Sequence, residues 1–355
     1  MIEVPPIVLN ILINFAIGLI VTISLNLEVG YAGIPQFGRV LAVLTGAIVA
    51  GAIPGRILAL MMNQPSGADY AYHLINYRLV EEINRVLASN PILSISIFIA
   101  TLILAACIGG LVGYVTAYPA IRLKEAYLGI TLLAFGDALQ VVAWNYQPIV
   151  GATQGVLVPD PFRFIGVGEL RFLTATLVML GIALLIFLYA ERISRSPFGR
   201  VLKAMRDSEV AAKVYGKDIP KVRAQALIIG SSLAAMGGAL WAFYSGSMKA
   251  VAYGRLVWTF WPWAYMMLGG TGNNLGILIG VFIFSTVRTL IYSYKGVLTS
   301  IIPIDPNWLE YILVGLTIVV IVMFRPQGIM PEKPALTLPK KKIEEVGGLK
   351  SSIEK

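Results

Sequence analysis

Residues 92–118 read ILSISIFIATLILAACIGGLVGYVTAY and contain no Asp, Glu, Lys or Arg. A helix needs about 20 apolar residues to cross a bilayer whose hydrocarbon core is about 30 Å thick. Only helices and closed barrels satisfy every backbone polar group in lipid. Barrel strands are short and alternate in polarity, whereas this stretch is long and continuous. It therefore predicts a transmembrane helix.

Comparable apolar runs recur along the whole chain. They fall at 7–27, 40–62, 92–118, 126–144, 172–190, 222–245, 275–293 and 309–324. A further run at 257–268 is too short to cross a bilayer alone and leads into LGGTGNN. Only 13% of the residues are charged, against about 25% in soluble domains. We predict an all-α fold, a polytopic bundle of about 8–10 transmembrane helices, some broken or re-entrant.

The composition excludes several kinds of chemistry. Cys107 is the only cysteine and His73 the only histidine. A disulfide within the chain is therefore impossible, and no residue cluster suits zinc, haem or a Ser-His-Asp triad. A net charge of +9 would suggest nucleic acid in a soluble domain. In a membrane protein it instead indicates basic cytoplasmic loops, so we predict no metal, no bound cofactor and no nucleic-acid partner.

Two basic segments set the orientation. The loop 191–223 carries Arg192, Arg195, Arg200, Lys203, Arg206, Lys213, Lys217, Lys221 and Arg223. The tail after Phe324 is also basic, so both segments are predicted to be cytoplasmic. An even number of crossings must then separate them. We prefer the arrangement in which 257–268 crosses as well; a re-entrant 257–268 would require another boundary to shift.

Counting back from the basic loop places 119–125 in the cytoplasm and both 63–91 and 145–171 outside. The 63–91 insert has apolar residues at near-helical spacing, namely Leu74, Ile75, Leu79, Ile83, Val86 and Leu87. This spacing predicts an external amphipathic helix. The helix packs on the bundle at the membrane surface or docks an external partner. The segment 331–355 is polar and aperiodic, which predicts a disordered cytoplasmic tail.

The loop stretch SRSPFGRVLKAMRDSEVAAKVYGKDIPKVR, residues 194–223, carries helix signals at both ends. Ser196 is a candidate N-cap, and Pro197 suits the first helical position. Gly216 suits a left-handed C-terminal cap. Asp207 can end a first helix and cap a second. Basic loops attract anionic lipid, but an apolar face of Val201, Met205 and Val210 favours a groove on a partner protein.

The same stretch resembles the coupling segment of ABC-importer permeases, in which an E-A-A-x3-G pattern recurs. The pattern falls on Glu209, Ala211, Ala212 and Gly216, with Val210 as one extra residue. The whole chain resembles the branched-chain amino acid permease family of ABC importers. The matching stretches stand in family order at 24–33, 118–139, 194–223, 268–276 and 322–330.

The resemblance implies a transmembrane permease domain over 1–330 whose loop docks on a separate ATPase subunit. The implied coupling residues are Ser196, Pro197, Gly199, Arg200, Arg206, Glu209, Ala211, Ala212 and Gly216. Small side chains at 211 and 212 would allow close approach, and the charged residues at 200, 206 and 209 would pair across the interface. The implied partners are two ABC ATPase subunits, a homologous second permease, an external substrate-binding protein and membrane lipid.

The chain has no ATPase motif of its own. A Walker A loop requires Gly-Lys followed by Ser or Thr. The only Gly-Lys pair, Gly216-Lys217, precedes Asp218. We therefore expect a transporter subunit that is not an enzyme, with ATP hydrolysed by its partners.

Two glycine-interrupted segments are candidates for the substrate pathway, because broken helices free backbone groups near the middle of a membrane. They are NLEVGYAGIPQFG at 26–38 and LGGTGNNLG at 268–276. Close packing of helices is the alternative explanation for their glycines. Asp137 lies inside an apolar run, where a charge costs at least about 2.5–3.5 kcal/mol. It either pairs with a structural partner or lines the pathway. The candidate pathway residues are Asn26, Gly30, Gly33, Asp137, Gly269, Gly270 and Gly272.

The function predicted by this resemblance is uptake of branched-chain or other small amino acids across the cell membrane. Urea or short amides are an alternative cargo within the same class. An ion-coupled secondary transporter that uses Asp137 as its coupling site is an alternative from another class.

Overall fold

A computed structural model describes residues 5–123, 125–295 and 306–332 of the chain. The helices within these ranges are α1 (Pro6–Asn26), α2 (Arg39–Met61), α3 (His73–Ser89), α4 (Pro91–Arg122), α5 (Glu125–Asn145), α6 (Gln147–Val150), α7 (Glu169–Arg195), α8 (Pro197–Asp207), α9 (Glu209–Val214), α10 (Ile219–Ser245), α11 (Trp261–Gly269), α12 (Asn274–Ser293) and α13 (Pro306–Phe324). Shorter π and 3-10 turns lie at Leu27–Tyr31, Ala68–Ala71, Arg163–Ile165, Ala250–Tyr253 and Leu256–Phe260. Two strands, β1 (Val156–Leu157) and β2 (Ser247–Met248), are the exception to an all-α fold.

The predicted polytopic bundle is confirmed. Seven helices of the described residues are long and apolar enough to cross a membrane: Pro6–Tyr31, Arg39–Met61, Pro91–Arg122, Ala126–Asn145, Glu169–Arg195, Ile219–Ser245 and Asn274–Ser293. The predicted run 309–324 falls within α13. Proline stands in the first turn of α1, α4 and α10, where its missing N–H is not needed.

One end of the bundle, called the hairpin end, gathers the segments predicted to lie outside. The strands β1 and β2 pair antiparallel there, with Val156 opposite Met248. Arg56 at the end of α2 donates to the carbonyl of Ile149 at 3.1 Å. The 145–171 segment is therefore joined to two distant parts of the chain.

The opposite end, called the loop end, gathers the basic segments. Lys203 on α8 lies 2.8 Å from Glu332, which follows α13. Arg223 at the start of α10 donates to the carbonyl of Ala120 on α4 at 3.0 Å. The segments predicted to share one side of the membrane thus lie together. Most of the predicted tail, 333–355, lies outside the described residues.

The short segment Leu256–Gly269 ends at the loop end. It begins with a π turn, in which Thr259 Oγ1 accepts from Val40 N at the start of α2 at 3.1 Å, and continues as α11. At its other end the carbonyl of Leu268 accepts from Ile329 N at 2.9 Å, beyond α13. The segment's fourteen helical residues rise only about 21 Å, less than the hydrocarbon thickness of about 30 Å. The crossing of 257–268 stays a prediction.

Helix α10 lies at the centre of the bundle against α2 and α4. Glycines sit where these backbones cross: a Cβ on Gly46 would collide with the carbonyl of Ala235, and one on Gly113 with that of Leu227. Between helices in lipid, close van der Waals packing replaces the hydrophobic effect as the source of attraction. The small residues therefore stabilise the centre of the bundle.

The 63–91 insert forms the predicted amphipathic helix, α3. Its buried side includes Leu79, Ile83 and Leu87, and Asn76 Oδ1 accepts from Leu157 N at 2.7 Å. Packing on the bundle is therefore confirmed. Leu74 is 65% exposed, so it does not belong to the packed side as its spacing suggested. Docking of an external partner on this insert stays a prediction.

Candidate coupling junction

The turn from α7 into α8 is built as the sequence predicted. Ser196 Oγ accepts from Gly199 N at 3.2 Å, and Pro197 is the first helical residue. A Cβ on Gly199 would collide with the carbonyls of Ile193 and Ser194. Glycine is therefore required for the chain to reverse this sharply between the two helices.

The second loop helix begins one residue later than predicted. Ser208, not Asp207, caps α9, and its Oγ accepts from Ala211 N at 3.3 Å. Asp207 ends α8 instead, where its carboxylate lies 3.1 Å from Arg206 Nε. The reason is geometric: Ser208 is extended (φ −161°, ψ 106°), as an N-cap residue must be.

Gly216 caps the end of α9 as predicted. Its φ is +74°, and Lys217 N donates to the carbonyl of Ala212 at 3.1 Å. This left-handed residue followed by a backward hydrogen bond is the usual glycine cap of a helix.

The predicted apolar face of the loop is divided between two helices. Met205 on α8 is buried against the bundle, together with Leu202. Val210, Val214 and Tyr215 are 75%, 81% and 82% exposed. The face of Val201, Met205 and Val210 is thus not one surface. The outward apolar surface is the α9 tip, defined by Val210, Val214 and Tyr215.

The small and charged residues of the loop also divide. Ala211 is exposed, but Ala212 is 3% exposed and packs inside the chain. Its small size therefore serves the chain's own packing and not the approach of a partner. Glu209 pairs with Arg223, so it already has an internal partner. Arg200 is exposed, and its pairing with an ATPase subunit stays a prediction.

Arg206 points into the molecule, not across an interface. Its guanidinium donates to the carbonyl of Gly30 and pairs with Glu332 at 2.8 Å. Burial alone would lower the pKa of Arg206, but the carboxylates of Glu332 and Asp207 raise it above its ordinary value. The residue stays charged and joins α8 to the segment that follows α1.

The two glycine-interrupted segments meet at the same place. Asn26 Oδ1 accepts from Gly272 N at 2.9 Å, and Asn26 Nδ2 donates to Asn274 Oδ1 at 3.0 Å. Asn274 Nδ2 donates in turn to Glu191 Oε2 on α7 at 3.0 Å. We call this cluster, with Arg206 and Glu332, the junction. It brings together α1, α7, α8, α12 and the chain after α13.

Close contacts explain the glycines of the junction. A Cβ on Gly33 (φ +70°) would lie 2.8 Å from Arg206 Cγ, and one on Gly272 (φ +78°) would lie 2.8 Å from Glu332 Oε2. Equivalent atoms on Gly30, Gly269 and Gly270 would collide with Asn26, Gly276 and Met330. The close-packing alternative therefore accounts for these residues. Their contact with a substrate stays a prediction, and they lie at the loop end, away from the middle of the bundle.

Asp137 has a partner. Its carboxylate lies 2.7 Å from Arg255, the residue before the π turn that leads into α11. The side chains remain 37% and 52% exposed. The structural-partner alternative is confirmed, and a contact with the pathway stays a prediction. Sequence reasoning missed Arg255, although it is the only cation immediately before the 257–268 run.

A second ion pair was also missed. Glu28 and Arg39 pair with both side chains 0% exposed. Arg39 also donates to Ser24 Oγ at 3.2 Å and to the carbonyl of Gly230 at 3.0 Å. The pair closes the break between α1 and α2. Its signal was present in the sequence, because charges inside an apolar region require partners. Glu28 lies within the interrupted segment 26–38, and Arg39 follows it directly.

A cavity of about 520 Å³ between α2, α4 and α5 is lined almost entirely by hydrocarbon. Its hydroxyls are already satisfied, because Thr45 donates to the carbonyl of Leu41 and Thr116 to that of Gly113. An amino acid brings an ammonium and a carboxylate group, each costly to bury without a partner. This cavity therefore does not suit an amino acid.

Comparison with known proteins gives a consistent assignment. Residues 7–322 match the family model described as the permease component of the branched-chain amino acid transport system. The probable branched-chain amino acid transport permease protein LivM of Methanocaldococcus jannaschii is 41% identical over 345 residues, covering 95% of this chain and 97% of that relative. The high-affinity branched-chain amino acid transport system permease protein LivM of Salmonella typhimurium is 24% identical over 259 residues, covering 66% of this chain and 58% of that relative. No solved structure matches the chain.

The bundle of apolar helices and these relatives define a multi-pass membrane protein of the transport-permease class. The chain belongs to the branched-chain amino acid permease family of ABC transporters.

Proposed function

We propose that this chain is the membrane-spanning subunit of an ABC importer for branched-chain amino acids in the cell membrane. The near full-length relative named for branched-chain amino acid transport supports this cargo. The loop 191–223 and the C-terminus are cytoplasmic in this proposal, since both are rich in Lys and Arg. Partner subunits hydrolyse the ATP, and this chain binds no cofactor.

The observation that carries the proposal is the exposed α9 tip at the loop end. Three apolar side chains at 75–82% exposure stand on a short helix with a cap at each end. Lys213 and Lys217 are neighbours of these residues in the chain and are exposed as well. Attraction to anionic lipid needs only the cations, whereas an ordered apolar tip suits a groove on a protein partner. We assign that groove to an ATPase subunit.

A movement of the loop has a direct route into the bundle. The α9 tip adjoins α8, and Arg206 on α8 contacts the segment after α1 and the chain after α13. Displacement of α8 by the ATPase subunits would therefore also move both glycine-interrupted segments. Two ATPase subunits, a homologous second permease and an external substrate-binding protein complete the proposed assembly.

The two alternatives have less support. The relatives are named for branched-chain amino acids, which favours that cargo over urea or short amides. An ion-coupled transporter would use Asp137 to bind its ion, but Arg255 already holds this carboxylate at 2.7 Å.

The substitution Val214→Asp tests ATPase docking in the assembled transporter. A charge in the centre of an apolar contact is expected to lower the recovery of ATPase subunits with the tagged permease at least about tenfold. ATP-driven leucine uptake into proteoliposomes falls with it. Val251→Asp is the matched control, because Val251 is 56% exposed at the hairpin end.

Wild-type recovery of the ATPase subunits by Val214→Asp would contradict docking at the α9 tip. Uptake by the chain alone, driven by an ion gradient in the absence of ATP, would support the secondary-transporter alternative.

A further inference from the structure

The eight residues that follow α13, 325–332, form a strap across the loop end. The chain turns at Gly328 (φ +70°), whose N–H donates to the carbonyl of Arg325 at 2.8 Å. Ile329 N and Met330 N then donate to the carbonyls of Leu268 and Gly269 at 2.9 and 3.0 Å. The strap thus pairs through its backbone with the last carbonyls of α11, which have no partner within the helix.

Asn273 holds the strap to α12 as well. Its Oδ1 accepts from Leu275 N and Gly276 N at the start of the helix. Its Nδ2 donates to the carbonyls of Met330 and Pro331 at 3.3 and 3.1 Å. One side chain therefore caps α12 and fixes the strap, so the strap moves with the α11–α12 turn.

The last described residue of the strap binds the loop. Glu332 Oε1 lies 2.8 Å from Lys203 Nζ, and Glu332 Oε2 lies 2.8 Å from Arg206 NH1. The two cations stand one turn apart on α8, on the same face. The carboxylate side chain is 22% exposed, and the Arg206 guanidinium continues to the carbonyl of Gly30.

We propose that Glu332 is a positioning residue for coupling, an inference that rests on the proposed ATP-driven function. It locks α8 to the α11–α12 turn, so that one displacement of the loop moves both glycine-interrupted segments together. Without this carboxylate, α8 keeps its contact with Gly30 but loses its direct tie to the strap, so it reaches the second segment only through Asn26. The partner subunits then still hydrolyse ATP, but fewer substrate molecules are transported for each ATP hydrolysed.

The test compares Glu332→Gln with Glu332→Asp in the complete reconstituted transporter. The amide keeps the shape of the side chain but loses the charge that holds both cations. For Glu332→Gln we expect wild-type recovery of ATPase subunits and sustained ATP hydrolysis. Leucine transported per ATP falls about tenfold, within the ordinary range of coupling between sites. Glu332→Asp keeps the charge and restores at least half of the ratio.

Three comparisons make the result decisive. Glu81→Gln, a carboxylate on α3 that is 56% exposed, is the control and leaves the ratio unchanged. Lys203→Gln removes one partner of Glu332 and is expected to lower the ratio as well. A wild-type ratio of leucine transported per ATP in Glu332→Gln would overturn the inference. Failure of both Glu332→Gln and Lys203→Gln to assemble would also overturn it, because Glu332 would then be required for folding. Absence of ATP-driven uptake in the wild type would instead overturn the proposed function.

Discussion

Two ion pairs within the spanning region differ in how the protein encloses them. Glu28 and Arg39 close the break between α1 and α2 and are 0% exposed. Asp137 and Arg255 join α5 to the start of the π turn and are 37% and 52% exposed. Charges at membrane depth face protein, water or a partner. The enclosed pair is therefore part of the scaffold, whereas the open pair faces water or another chain.

The largest expected effect is on the enclosed pair. Glu28→Gln leaves Arg39 without its carboxylate in a site closed to water. Removing one partner of a buried ion pair costs about 3–5 kcal/mol. We expect a large loss of folded protein and of melting temperature in detergent. A melting temperature equal to that of the wild type would mean that the pair is not enclosed.

Replacing both partners sharpens the comparison. In the double variant Glu28→Leu with Arg39→Met, no charge remains to be buried. Such replacements of a buried pair are often neutral or stabilising, so we expect most of the melting temperature lost in Glu28→Gln to return. A double variant less stable than Glu28→Gln would show that other contacts of Arg39, to Ser24 and Gly230, dominate.

The smallest effect is expected at the open pair. Asp137→Asn should change the free energy of unfolding by at most about 1 kcal/mol, as for other solvent-exposed pairs. At 1 M salt, where the screening length is about 3 Å, the difference from the wild type should shrink further. The measurement is the melting temperature of both proteins at low and high salt. A loss as large as that in Glu28→Gln would place Asp137 in an enclosed site.

Much of the fold could be predicted from the sequence, because membrane helices and capped helix ends leave local signals. The run 92–118 lies within α4, and the caps at Ser196 and Gly216 stand where predicted.

The details of the loop could not be predicted, because helical spacing holds only within one helix. The extended Ser208 ends α8 and a new helix starts after it, so Met205 is buried while Val210 is exposed. The inward direction of Arg206 depends on Glu332, which is distant in the chain. The partners of Glu28 and Asp137 were missed because one sequence shows that a charge needs a partner but not which residue provides it.

The contact between Asn26 and Gly272 also bears on how the protein is made. It joins residues 246 positions apart. At about 5–20 residues per second of synthesis, Gly272 is made roughly 12–50 seconds after Asn26. The partner of Glu28 is made much sooner, because Arg39 follows only 11 residues later. The charge of Glu28 can therefore be paired early in synthesis, whereas the uncharged amide of Asn26 has no partner until the last third of the polypeptide is made.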